Sequence, residues 1–386
     1  MKNRKLLMIP GPIEMDPAVL RAMGEITTSH VAPNFIESFG SSIELMRKIW
    51  FAPSGQPFIV SGSGTLAMDM AVCNLIEPND NALVISTGYF GERYKNILAT
   101  YGVNVTVLQA SIGGTVPLDI IEQELASKKY KLVTITHVDT STGVLNNPKP
   151  IAALAKKYKA LSILDGVCAT AGEITEQENW GIDVVLTGSQ KAIGVPPGLA
   201  LFVVSEKAMK VWKDRKSPVQ NYYGSFDNWL PIMQAYEARK ASYFGTPPVN
   251  LIRALEVSLR LIDKEGIKNR VQTHITYARA FRKAIKALQL ELVPRNEKVA
   301  AHTMSAIYYP ENINADQFRK DVSEYGVILA GGLHSEIKHL YFRIGHMGTI
   351  NKSDLVATLS AIEYALKQQN YSFKLGSSIA TFLKHI

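Results

Sequence analysis

Seven short apolar runs, at residues 58–60, 82–86, 103–108, 132–136, 161–164, 184–187 and 200–204, alternate with amphipathic stretches. This alternation constrains the fold more than any other feature of the chain. A strand buried on both faces shows no polar alternation, and parallel strands joined by helices are buried in that way. Between the runs, stretches such as residues 150–158 carry apolar residues at helical spacing. The pattern predicts an α/β layer whose large sheet has seven strands, mostly parallel. In such sheets ligands bind beyond the carboxyl ends of the strands. The residues that follow each run are therefore the first place to look for chemistry.

Beyond the alternation the pattern changes. Residues 210–250 are richer in Pro, Tyr and Gly, and helical patterns follow at 249–266 and 272–288. Residues 301–308 and 339–343 then read as strands, and 315–325 and 352–367 as helices. That is a smaller C-terminal α+β domain, separate from the large sheet. The expected division is an N-terminal segment, 1–20, that reaches the small domain or a partner chain, a large domain, 21–265, and the small domain, 266–386. A chain of 386 residues with 46% hydrophobic content has enough apolar material for this plan.

Charge and cysteine content narrow the function classes. The net charge is +8, but Lys and Arg are scattered in pairs such as Lys128-Lys129, with no basic stripe interleaved with aromatics. That argues against a nucleic-acid module and leaves anionic small molecules as the better fit. Cys73 and Cys168 are the only cysteines, so there is neither a disulfide framework nor zinc-ligand spacing. No apolar stretch is long enough to span a bilayer. The basic start of the chain reaches Pro10 after four apolar residues, shorter than the apolar region of a secretory signal. A cytoplasmic location, with no membrane and no metal, is expected.

Three strand ends carry candidate chemistry. Residues 184–191 run from an apolar strand through Gly188, Ser189 and Gln190 to Lys191. A lysine there, partly desolvated, can act as a nucleophile toward aldehydes; taken alone it also reads as a surface lysine. The run at 161–164 ends on Asp165, which taken alone reads as a helix cap. The two stand 26 residues apart, one strand–helix–strand crossover. A carboxylate at that distance can keep a pyridine nitrogen protonated and make the ring an electron sink. After the run at 58–60, Ser61-Gly62-Ser63-Gly64-Thr65 opens a helical pattern at 66–75. Small residues there let backbone N–H groups approach a phosphate at a helix N-terminus. The same loop also reads as an ordinary N-cap, and it matches neither the Walker nor the dinucleotide glycine spacing.

The segments PGP at 10–12, SGSGTLAMD at 61–69, GYFGER at 88–93, THVDTSTGVLN at 136–146, LDGVCATAGE at 164–173, TGSQKAIGVPPG at 187–198, YFGTPP at 243–248 and FRIGHMG at 342–348 occur in one order. Together they resemble the class V pyridoxal-phosphate aminotransferases, in particular the alanine–glyoxylate and serine–pyruvate aminotransferase family. The resemblance covers nearly the whole chain. It implies the aspartate-aminotransferase-like fold and pyridoxal 5'-phosphate as cofactor, with amino acids and 2-oxo acids as substrates of a ping-pong amino transfer. It further implies that Lys191 holds the cofactor as a Schiff base, with Gln190 beside it on the phosphate. Ser63, Gly64 and Thr65 match the phosphate loop. Asp165 matches the partner of the ring nitrogen, with Val167 against the ring, Thr140 at its 3-hydroxyl and Phe90 stacked on it. Tyr243 and Thr246 match residues that reach the phosphate of the neighbouring subunit, which implies a homodimer with shared active sites. Arg343 matches the arginine that grips the substrate carboxylate, and Gly11 lies in the segment that closes over it. A lone strand-end arginine also reads as half of a surface ion pair.

There are departures. Many relatives have Trp where Phe90 stands, His where Thr65 stands, and Gly-Pro-Gly-Pro where this chain has Ile-Pro-Gly-Pro. These changes bear on substrate preference. Ureidoglycine and aminophosphonate aminotransferases share the same motifs. A lyase of the cysteine desulfurase kind uses the same scaffold but needs a cysteine on a mobile loop, and none follows Cys168.

Overall fold

The structure is a computed structural model that describes residues 5–386. The chain enters through a short strand, β1 (Leu6–Leu7), and two helices, α1 (Pro17–Met23) and α2 (Pro33–Ile49). The alternating region follows: β2 (Gln56–Ser61), α3 (Gly64–Leu75), β3 (Asn81–Ser86), α4 (Tyr89–Thr100), β4 (Asn104–Gln109), α5 (Leu118–Ser127) and β5 (Leu132–Thr136). A small hairpin, β6 (Val138–Asp139) and β7 (Val144–Leu145), leads to α6 (Pro148–Lys157). Then come β8 (Leu161–Asp165), α7 (Gln177–Trp180), β9 (Val184–Gly188) and β10 (Leu199–Val204).

All seven apolar runs are strands of one sheet, in the order β2-β10-β9-β8-β5-β3-β4. Only β10 runs against its neighbours; the pairs β9-β8, β8-β5, β5-β3 and β3-β4 are parallel. The sheet is therefore mostly parallel, as the uninterrupted runs require. Its middle strands β5, β8 and β9 are buried at every residue.

Helices α8 (Glu206–Lys213) and α9 (Phe226–Glu237) occupy the Tyr- and Pro-rich stretch, and α10 (Val249–Glu265) leads into α11 (Ile267–Ala287). The C-terminal α+β domain holds β11 (Met304–Tyr308), α12 (Ala315–Glu324), β12 (Val327–Ile328), β13 (Ala330–Gly331), β14 (Tyr341–Gly345), α13 (Lys352–Gln368) and α14 (Ser377–His385). Its three-stranded sheet has the order β11-β14-β13. Two hydrophobic cores result. One lies around the large sheet; the other is built from α11, α13 and the small sheet and also takes in Met8.

Met8 belongs to the second core because β1 pairs in parallel with β12, Leu6 opposite Val327. The N-terminal segment then crosses to the large sheet, where the Ile13 N–H donates to the Gln190 carbonyl at 3.2 Å. It straps the two units together directly over residues 190–191. Boundaries differ from the sequence reading in places: α11 begins at Ile267, five residues before the expected pattern, and β14 lies two residues later than expected. Helix α3 begins at Gly64, so Gly64 and Thr65 are its first turn rather than a loop before it.

Candidate active site

Strands β8 and β9 are neighbours, with Asp165 opposite Leu186. Asp165 ends its strand, and Lys191 comes three residues after Gly188 ends the other. Sheet register alone thus brings a carboxylate and an amine to one edge. Both side chains are buried, at 2% and 7% exposure. Burial raises the Asp165 carboxyl to about 7; the negative charge of Asp139 adds to this, while the Val167 N–H, Arg93 and Lys191 act against it. The Val167 N–H donates to Asp165 Oδ1 at 2.9 Å. Burial lowers the pKa of the Lys191 amine, and the charge of Arg343 pushes the same way. Lys191 Nζ donates to the Pro10 carbonyl of the N-terminal strap.

The turn after β2 lies alongside. Ser63 is the N-cap of α3, yet its side chain makes no capping hydrogen bond. A Cβ on Gly64 would stand 2.7 Å from Val167 Cγ2, so only glycine lets this helix start approach the Asp165–Val167 turn. Gln190 has a buried Oε1 with no hydrogen-bond partner. The first turn of α4 supplies Phe90, whose ring lies 4.7 Å from the Arg93 guanidinium. Arg93 Nη1 donates to Thr65 Oγ1 at 2.7 Å.

From the C-terminal domain, β14 brings Arg343. Its Nε donates to the Gly331 carbonyl at 2.8 Å and its Nη1 to the Thr140 carbonyl at 3.1 Å. Among the described residues both of its hydrogen bonds go to backbone carbonyls, and no carboxylate pairs with it. Gly11 sits above Lys191 with φ +121; a Cβ there would lie 2.5 Å from Lys191 Cδ. The structure thus gathers Gly11, Ser63, Gly64, Thr65, Phe90, Thr140, Asp165, Val167, Gln190, Lys191 and Arg343 at one edge of the sheet and one domain junction. A helix start crowded by no side chain, a buried carboxylate and a buried amine suit a planar group with an anion at one end, a basic ring nitrogen and a carbonyl carbon.

The arrangement has counterparts. The family model for aminotransferase class-V matches residues 19–358. The chain is 39% identical to alanine–glyoxylate aminotransferase 1 of Saccharomyces cerevisiae over 90% of this chain and 93% of that one. It is 30% identical to serine–glyoxylate aminotransferase of Arabidopsis thaliana, over 99% and 96%. The chain belongs to the class-V aminotransferases. A solved alanine–glyoxylate aminotransferase from Nostoc sp. superposes with a TM-score of 0.89 at 27% identity, covering 95% of this chain and 96% of that one.

In this class-V aminotransferase Tyr243 and Thr246 make no hydrogen bond to the gathered residues among those described. Both are exposed, and they meet each other, Tyr243 Oη to Thr246 Oγ1, at 3.4 Å. Three contributors went unread in the sequence. Arg93 lies one helical turn after Phe90, a spacing that puts both on one face, and the quoted motif contained it. Tyr341 lies two residues before Arg343 on β14, hence on the same face. Its hydroxyl donates to the Ser141 carbonyl and accepts the Leu333 and His334 N–H groups at 2.8 and 2.9 Å. Pro10 acts through its carbonyl, which no side-chain pattern announces. His137 is buried, which lowers its pKa to about 4. Cys168 is buried and free, and burial strongly raises the pKa of Cys73. Cys73 lies within α3 and Cys168 in the buried turn after β8, so neither is on an exposed loop.

Proposed function

We propose that this chain moves the amino group of serine or alanine to pyruvate or glyoxylate, using pyridoxal phosphate held by Lys191. The observation that carries the proposal is a buried amine and a buried carboxylate on adjacent strand ends, faced by a guanidinium that has no carboxylate partner. The alanine–glyoxylate and serine–glyoxylate activities named for the relatives support the choice of substrates. When bound, the cofactor supplies an aldehyde that takes up amino groups and a ring that withdraws electrons from the substrate Cα.

The chain's residues do the rest. The N-terminus of α3, with the Ser63 and Thr65 hydroxyls and the Gln190 amide N–H as donors, would hold the phosphate. Asp165 keeps the ring nitrogen protonated, because a buried carboxylate gains most from a cation beside it. Phe90 and Val167 would face the ring, and Thr140 its hydroxyl. Arg343 presents a planar fork to the carboxylate shared by amino acid and oxo acid. The strap at Gly11 covers that carboxylate and excludes water. Lys191, whose amine burial favours in its neutral form, would serve as the base that takes the proton from the substrate Cα and, protonated, as the acid that gives it back. Each half-reaction ends with release of an oxo acid or an amino acid, which gives ping-pong kinetics.

The division into residues 1–20, 21–265 and 266–386 belongs to the same reading, with the strap as the first piece. So does a homodimer with shared sites, since Tyr243 and Thr246 lie exposed and bond each other rather than the gathered residues. Two free thiols support a cytoplasmic setting; among the described residues no helix is long and apolar enough to cross a membrane. The test is a panel of half-reactions followed by cofactor absorbance near 400 nm, with serine, alanine, ureidoglycine and an aminophosphonate as donors. Conversion by serine or alanine, reversed by glyoxylate or pyruvate, is the expected result. Conversion only by the other two donors overturns the substrate assignment.

A further inference from the structure

Helix α4 carries two residues that matter to the site, Phe90 and Arg93, yet it has no cap of its own. Its N-cap is Gly88, which has no side chain to offer, and the first N–H groups of any helix lack intrahelical acceptors. Here they are answered from the β6–β7 hairpin. Asp139 Oδ2 accepts from the Phe90 N–H at 3.1 Å and from the Gly91 N–H at 3.3 Å. Ser141 Oγ accepts from the Tyr89 N–H at 3.0 Å. The same Ser141 donates its backbone N–H, at 2.9 Å, and its hydroxyl, at 2.5 Å, to Asp139 Oδ1. Asp139 is fully buried. A buried carboxylate of this kind costs heavily unless donors and a favourable dipole surround it. Burial pushes its carboxyl up, and the Ser141, Gly91 and Phe90 donors act against that shift.

One side chain thus fixes two elements against each other. On one side is the turn that bears Phe90 and the Arg93–Thr65 hydrogen bond. On the other is the hairpin that bears Thr140, whose carbonyl receives Arg343. We propose that Asp139 is a positioning residue of the active site: its carboxylate caps α4 from the hairpin and thereby sets the Phe90 ring, the Thr65 hydroxyl and Thr140 in register around the cofactor. The inference rests on the cofactor site proposed above, and Asp139 spends its carboxylate on the protein's own N–H and O–H groups.

The test compares the unaltered protein with Asp139→Asn and Ser141→Ala. The readouts are pyridoxal phosphate affinity, visible circular dichroism of the bound cofactor, and the thermal midpoint of the cofactor-free protein. Asparagine keeps the size but presents an N–H where α4 needs an acceptor. Affinity is expected to fall about ten-fold or more, the scale of one lost charge-assisted hydrogen bond, and the visible dichroism to fall with it. Ser141→Ala is expected to reduce the dichroism in the same direction by less. Affinity within two-fold of the unaltered protein with unchanged dichroism overturns the proposal. So does weakened affinity with unchanged dichroism, which would leave Asp139 a role in stability alone. If Asp139→Asn shows no cooperative unfolding, Ser141→Ala decides: reduced dichroism supports the role and unchanged dichroism removes it. No cofactor band in the unaltered protein would sink the cofactor site itself. A normal band there with an unaffected Asp139→Asn sinks only the role of Asp139.

Discussion

Two buried polar clusters lie close together in this molecule, and they differ in how their charges are answered. At the sheet edge, Lys191 bonds a backbone carbonyl, Asp165 accepts a backbone N–H, and Arg343 bonds two carbonyls. At the junction behind it, charges meet charges and full sets of acceptors. Glu173 accepts from the His302 backbone N–H at 2.5 Å and from His302 Nδ1 at 2.8 Å. Arg270 bonds Glu265 and the carbonyls of Ala171 and Ala192, and Arg282 bonds Glu297 and the Ala301 carbonyl. Burying an ion costs several kcal/mol unless it is paired, and Glu265 and Glu297 reach the solvent while Asp165 and Lys191 do not. The junction offsets that cost with protein partners and holds the architecture. The edge leaves it standing, which is how a site prepares for ligands that bring the missing charges.

The sharpest way to break this comparison is Lys191→Ala. If the amine is there for the cofactor, its loss removes the absorbance band near 400 nm and slows turnover by at least about a thousand-fold, the scale of a lost acid–base group. The thermal midpoint of the cofactor-free protein should hold or rise, because a buried amine with little compensation is gone. Full turnover with an unchanged band would place the chemistry elsewhere.

Arg343 gives the next largest effect. Both substrates of the cycle carry the carboxylate it faces, so Arg343→Ala should weaken amino acid and oxo acid alike, by about 2–5 kcal/mol. Lysine offers a point charge without the planar fork, so Arg343→Lys should recover only part of this loss. Cofactor absorbance should persist in both variants. Half-reactions with serine, alanine, pyruvate and glyoxylate read the outcome; weakening of one substrate class alone would contradict the shared grip.

The same contrast explains what could be read from the chain. Strands β5, β8 and β9 were legible because burial on both faces demands unbroken apolar runs, and their carboxyl ends pointed to Asp165 and Lys191. The order of strands was not, because pairing partners leave no mark on composition. Nothing local says that β10 alone turns back, or that Leu6 would lie beside Val327. Helix α2 escaped notice, since Pro33, Gly40 and three serines interrupt a pattern that packing against α9 and α10 completes. Within the site, strand ends and motifs pointed to Asp165 and Lys191, whereas residues that act through a neighbour stayed hidden even inside a motif, as Arg93 and Pro10 did. Pro10 serves by its carbonyl and Tyr341 by holding two loops, and each is visible only once the partner is in place.

The smallest expected effect lies in how the two clusters respond to acid, and the signs are opposite. Asp165 has a folded-state pKa of about 7, above its ordinary value of 3.8. The folded protein therefore holds a proton that the unfolded chain has already lost. Its contribution falls as pH rises from about 4 to about 7. Glu173 is the reverse. Burial raises its pKa, but the hydrogen bond and charge of His302 outweigh that and leave it below 4.5. Its contribution is complete above that value and disappears as pH falls through the lowered one. Thermal midpoints of the cofactor-free protein from pH 3 to 8 separate the two. Asp165→Asn should flatten the limb between about 4 and 7, and pyridoxal phosphate should flatten it in the unaltered protein by supplying a cation. Glu173→Gln should cost about 1–3 kcal/mol at neutral pH, the scale of one imperfectly satisfied buried group, and should soften the decline below pH 4.5. Its half-reaction rates should stay within a few-fold of the unaltered enzyme, since Glu173 meets none of the gathered site residues. A Glu173→Gln enzyme that keeps its midpoint and loses its rates would show that the junction also serves the chemistry, and the division between the two clusters would fall.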